Sequence, residues 1–160
     1  MVEVRTIRAM PLTATAFAPW GTVIEAGAGE ARPINAGLCT RWHDQARPDA
    51  GDGSVSISVF EAAPRAFPHR LDLIERHPEG SQAFLPLTAH PFLVTVSDGP
   101  DAEPRAFLTA PHQGVQIRRG AWHGVLTPLH APGLFAVVDR VGEGPNLEEH
   151  VFQVPWTVVA

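Results

Sequence analysis

Short apolar–polar alternations recur along the chain, separated by turn residues. The stretch 54–61 is the clearest: Val55, Ile57 and Val59 alternate with Ser54, Ser56 and Ser58. Alternation with period 2 puts each set of side chains on its own face of an extended segment, so it predicts a half-buried strand. The same reading predicts strands at 2–8, 34–43, 71–75, 83–87, 92–96, 106–109, 115–118, 121–126, 134–140 and 151–154, and another beginning at Val23 and Ile24. Thr13 is placed to cap a short helix through Phe17, which Pro19, Trp20 and Gly21 would stop. Residues 27–33 and 48–53 read as loops, the second carrying an Asp52-Gly53 turn signal. Roughly ten or more short strands with almost no helix predict an all-β sandwich or barrel. No internal repeat, low-complexity tract or linker interrupts residues 1–160, and 44% of them are hydrophobic, which fits one domain with its own core.

Composition narrows this picture. The abundance of Gly (14) and Pro (16) suits many turns and few long helices. The net charge of −5 and the scattered Arg residues leave no basic footprint for nucleic acid or for an anionic membrane surface. No apolar run approaches the ~18 residues of a membrane span. Residues 1–10 lack the apolar core of a signal peptide. Cys39 is the one cysteine, so no intrachain disulfide can form, and it reads as a small buried residue. These features together predict a cytoplasmic protein.

The basic side chains are all Arg, 12 of them, and there is no Lys. Chemistry through a lysine Schiff base is therefore excluded, and an aldehyde or carbinolamine would have to be handled by acid–base or Lewis-acid catalysis. Tyr is absent too, which removes a phenolic acid.

The densest polar run is Glu75-Arg76-His77-Pro78-Glu79-Gly80-Ser81-Gln82. Glu75 and His77 stand at i and i+2, on one face of an extended segment. Their spacing matches the first metal-binding motif of a cupin barrel, with Gln82 where a third ligand usually stands. Gly120-Ala121-Trp122-His123 has the Gly-x-x-His form that supplies the last ligand. Glu75, His77, Gln82 and His123 are thus candidate ligands for a borderline divalent metal such as Ni, Zn, Mn or Fe. The same groups also suit a pocket working by acid–base catalysis without metal, and a solvated surface turn is the bland alternative. Arg41, with His43 and Asp44 beside it, is a candidate fork for a small carboxylate, and so is Arg140. His69, His90, His112, His130 and His150 lie in Pro-rich or loop contexts and read as surface residues.

Several segments together resemble the ureidoglycolate lyase family. They are Phe17-Ala-Pro-Trp-Gly-Thr-Val-Ile24, Ile34-Asn-Ala-Gly37, Arg41-Trp-His-Asp44, Ile57-Ser-Val59, Ile74-Glu-Arg-His-Pro-Glu-Gly-Ser-Gln-Ala-Phe-Leu-Pro86, Gly120-Ala-Trp-His123 and Val138-Asp-Arg140. The resemblance implies a cupin-like double-stranded β-helix barrel with one or two short helices, usually a homodimer. It implies cleavage of (S)-ureidoglycolate to glyoxylate and urea, late in purine (allantoin) breakdown, with nickel or another divalent metal as a cofactor associated with the family. On that reading Glu75, His77 and His123 are catalytic, and Asn35, Arg41, His43, Ser81, Gln82 and Arg140 bind substrate. The chain departs from the family where Arg118 and Gly124 replace two expected imidazoles. Those departures keep two alternatives in view: a cupin-type enzyme for another small 2-hydroxy or ureido acid, and a non-catalytic module that binds a small carboxylate.

Overall fold

The computed structural model of the chain describes residues 2–160. Its strands are β1 (Arg5–Pro11), β2 (Gly21–Ile24), β3 (Glu30–Ile34), β4 (Cys39–His43), β5 (Ser54–Ala62), β6 (His69–Arg76) and β7 (Gln82–Pro86). They continue as β8 (Phe92–Ser97), β9 (Arg105–Leu108), β10 (Gly114–Ile117), β11 (Trp122–His123), β12 (Thr127–Pro128), β13 (Gly133–Val141) and β14 (Glu148–Val159). One helical turn, α1 (Ala14–Phe17), is capped by the Thr13 side chain, which accepts from the Ala16 N–H. No helix among the described residues is long and apolar enough to cross a membrane.

The larger sheet runs β11-β6-β14-β1-β9-β8-β12, and β11 also pairs with β8, which closes the strands into a barrel. A second sheet, β2-β10-β7-β13-β5, packs beside it. Successive residues of β8 show how the two share a core. Val94 and Val96 join Val23, Phe84, Val115, Phe135 and Val137 from the second sheet, while Leu93 turns to Ile7, Leu71, Ile74, Ala106, Phe152 and Val158. The architecture is all-β, as the alternating pattern predicted, and it is the cupin-like barrel with a short helix that the resemblance implied.

Five local expectations need correction. Part of 27–33 is strand, not loop: Glu30–Ile34 pairs with Cys39–His43 as a two-stranded ribbon. The predicted strand 34–43 is split where Asn35, Ala36 and Gly37 adopt left-handed backbone angles and reverse the chain. This ribbon has no apolar alternation because its strands pair only with each other and residues 30–42 are exposed. The final strand has 12 residues, not the four of 151–154; its polar start and a bulge between Val151 and Trp156 break the period. Cys39 is exposed and His69 is buried, the reverse of both expectations.

The strand at 54–61 forms as expected but faces unexpectedly. β5 is the edge of the second sheet, and Val55, Ile57 and Val59 point outward with 51%, 74% and 67% exposure. Phe60, on the opposite face, packs edge-on against Phe84.

Candidate active site

Glu75 lies near the end of β6, and β11 runs antiparallel beside it with His123 directly opposite Glu75. Directly opposed residues of an antiparallel pair put their side chains on the same face. His77 follows two positions after Glu75 and joins that face. One ligand atom from each of Glu75, His77 and His123 lies within 4.8 Å of the others, and the two imidazole rings are 5.2 Å apart.

The three groups differ in environment. His123 is 1% exposed. Its Nδ1 donates to the Gly124 carbonyl (2.8 Å), which leaves a lone pair on Nε2, and that atom is buried with no partner. Burial holds this ring down at about 4; the bond to Gly124 opposes the fall and His77 adds to it. The ring is therefore neutral at pH 7, with a free acceptor aimed into the cluster. Burial pushes the Glu75 carboxyl above its ordinary value; nearby His77 pulls it back and Glu149 reinforces the rise.

His77 is engaged on both sides. Nδ1 meets the Asn146 carbonyl at 2.9 Å and Nε2 meets Gln82 Oε1 at 3.0 Å. Gln82 Nε2 donates to Asp139 Oδ2 at 3.1 Å, which orients the amide with its carbonyl toward His77. Each ring nitrogen therefore faces an oxygen, and the Asp139 carboxylate stands one amide away from Nε2.

The loop holding His77 is stitched from several directions. Arg119 donates to the Pro78 carbonyl and pairs with Glu79, and the Gly120 N–H donates to the His77 carbonyl. Ser81 exchanges bonds with Asp49: its N–H donates to the Asp49 carbonyl and its hydroxyl accepts from the Asp49 N–H, both at 2.8 Å. Gly80 lets the two segments meet, since a Cβ there would sit 2.8 Å from the Asp49 carbonyl oxygen. Arg76 turns away, stacking over Trp122 and pairing with Glu148.

The chain is similar to known proteins over nearly its whole length. A family model described as ureidoglycolate lyase matches residues 4–159. The chain belongs to the ureidoglycolate lyase family. It is 57% identical over 152 residues to a protein named ureidoglycolate lyase from Rhodobacter capsulatus, covering 92% of this chain and 94% of that one. It is 49% identical over 159 residues to one of the same name from Chelativorans, covering 96% of each. Ureidoglycolate lyase 2 of Rhizobium meliloti is 48% identical over 153 residues, covering 92% of this chain and 94% of that one.

Within a ureidoglycolate lyase framework, the two departures have structural settings. A side chain at Gly124 would run into Thr95 Oγ1, so Gly is the residue that fits beside it. Arg118 is exposed and donates to the Pro19 carbonyl.

The remaining candidates are placed unequally. Gln82 joins the cluster through His77. Ser81 serves the loop, and strand alternation turns Arg140 away from the face that carries Asp139. Its guanidinium is spent on the Ala50 carbonyl, Asp52 and the Glu143 carbonyl. Asn35, Arg41 and His43 belong to the exposed ribbon, which pairs with neither larger sheet. His43 is only partly exposed, and its Nδ1 is buried without a partner. Two residues that hold the site were not foreseen: Asn146 and, as the anchor of Gln82, Asp139. Asn146 is 69 positions from His77, in a stretch whose Gly and Pro signal only a loop.

Proposed function

We propose that this chain cleaves (S)-ureidoglycolate to glyoxylate and urea in allantoin breakdown. One observation carries the reading: the match to ureidoglycolate lyases spans nearly the whole chain, including the segments in which Glu75, His77 and His123 converge.

The reaction is an elimination from a carbinolamide. Glu75, whose proton affinity is raised, takes the proton from the C2 hydroxyl. The C–N bond breaks as the aldehyde carbonyl forms. His77 gives its Nε2 proton to the departing urea nitrogen, which competes with the Gln82 carbonyl for that N–H. Each proton lost is matched by one gained, so the products are neutral urea and glyoxylate with its carboxylate unchanged. Positioned acid–base groups of this kind typically contribute ~10²–10⁴-fold. His123 Nε2, which carries only a lone pair, accepts a hydrogen bond from a ureido N–H of the substrate and orients the leaving group. Arg41, with Asn35 and His43 nearby on the ribbon, is the candidate anchor for the carboxylate.

The donor set also fits a divalent cation such as nickel. Two imidazoles and a carboxylate suit a borderline ion, and the buried, unpartnered His123 Nε2 is a ready lone pair. Donors about 2.1 Å from one ion lie at most about 4.2 Å apart, close to the 4.8 Å envelope of these three. Glu75, His77 and His123 would hold the ion, His77 only by giving up the Nε2 proton and its bond to Gln82. Such an ion supplies Lewis-acid polarisation of the hydroxyl and carboxylate oxygens.

The chain acts as a single domain, in the cytoplasm, and pairs with a second copy. Support for pairing comes from the outward apolar row of Val55, Ile57 and Val59, and from Ile34, Leu38 and Trp42 exposed on the ribbon. The test of function is steady-state glyoxylate release. Turnover well above spontaneous decay supports the reading. No excess over that rate, with or without added nickel, refutes it.

A further inference from the structure

We propose that Asn146 is a positioning residue for His77. The inference rests on the reading of His77 as part of the reacting site. Two hydrogen bonds carry it. The Asn146 carbonyl accepts from His77 Nδ1 at 2.9 Å, and the Asn146 side-chain Oδ1 accepts from the Glu79 N–H at 2.8 Å.

The second bond secures the first. Glu79 belongs to the same loop as His77, so the side chain of Asn146 ties its own carbonyl to the segment that carries the ring. Ring and acceptor then move together. With Nδ1–H committed to a carbonyl, Nε2 becomes the working nitrogen, facing Gln82 until a substrate nitrogen replaces it.

The surroundings show why such an anchor matters. Residues 142–147 connect β13 to β14, and 141–145 are exposed. Gly144 has a φ of 83° and Gly142 lies two residues before it. Arg140 reaches the Glu143 carbonyl only through bonds of 3.4 and 3.5 Å. The strong bonds that bring this connection onto the His77 loop are those of Asn146.

Asn146→Ala removes Oδ1 and leaves the backbone carbonyl in place. Its kcat on ureidoglycolate should fall about tenfold or more, with KM within about twofold of wild type. Asn146→Asp keeps an oxygen acceptor and should recover most of that loss. A second readout needs no turnover. In ¹⁵N-histidine spectra, wild-type His77 should show a hydrogen-bonded, slowly exchanging Nδ1 proton, and exchange should quicken at least about tenfold in Asn146→Ala and slow again in Asn146→Asp. A wild-type chain without ureidoglycolate turnover would refute the proposed function, while the spectra would still judge the positioning role. Wild-type kcat and wild-type exchange in Asn146→Ala would overturn the role. So would a folded Asn146→Asp that behaves like Asn146→Ala by both measures.

Discussion

The buried ring of His123 makes the fold sensitive to mild acid. In the unfolded chain this imidazole titrates near 6.5; in the folded protein it is held down at about 4. The folded state therefore binds fewer protons than the unfolded state between those values. Stability is fully present above about 6.5, falls as pH drops through that window, and loses this contribution entirely below about 4. A gap of about 2.5 in pKa corresponds to about 3 kcal/mol. A domain of this size has roughly 5–15 kcal/mol in total, so the loss is large.

Urea unfolding of chelator-treated protein at pH 7.5, 6.5, 5.5 and 4.5 measures it, with His123→Gln as the non-titrating control. Wild type should lose about 1.4 kcal/mol per pH unit more than the variant below pH 6. The comparison matters because Glu75 works in the opposite sense. Its raised pKa means that burying the ionised carboxylate costs stability at neutral pH, and that cost is relieved as pH falls through its folded value. Taking the difference between wild type and His123→Gln isolates the imidazole. Parallel losses from pH 6.5 to 4.5 in both proteins would mean that the ring is hydrated, and the argument for a free, buried Nε2 would fail with it.

Three further outcomes follow from the same structure. Gly124→Ala should destabilise the fold by about 1–3 kcal/mol in urea melts through overpacking against Thr95, and Thr95→Ala should rescue most of that in the double variant. If the cluster holds a metal, protein purified without a histidine tag should carry a divalent ion by elemental analysis; Glu75→Gln and His123→Gln should each lose it, and full activity in strong chelator would count against metal dependence. Ile57→Lys, on the outward row of β5, should convert a dimer to monomer in sedimentation while changing the stability of the isolated chain by less than about 0.5 kcal/mol.

What could be read from the sequence followed the range over which its signals act. Period-2 alternation is local, so most strands, the barrel class and the short Thr13-capped helix were legible. Glu75 and His77 were legible for the same reason, because two positions along a strand suffice to put them on one face. His123 came from a four-residue motif. The direction of the β5 face was not legible: alternation shows that two faces differ, not which one meets the core, and an edge strand can turn its apolar row outward. The ribbon was missed because its strands bury nothing and need no apolar period. The length of β14 was hidden by Glu148, Glu149 and the bulge.

The parts of the site that escaped are those that depend on contacts distant along the chain, and they decide how its imidazoles differ. His77 and His123 look equivalent as letters in motifs. In the fold, His123 has one nitrogen on its neighbour's carbonyl and the other free, so it is neutral and accepting. His77 has both nitrogens against oxygens, one of them held by Asn146 and the other backed by Gln82 and Asp139. On the proposed mechanism that contrast divides the labour: His123 is a neutral acceptor, His77 the proton donor, and Glu75 beside them has raised proton affinity. An elimination that moves a proton from oxygen to nitrogen needs such an asymmetry. In a chain without lysine or tyrosine, different partners make two chemically identical imidazoles unequal.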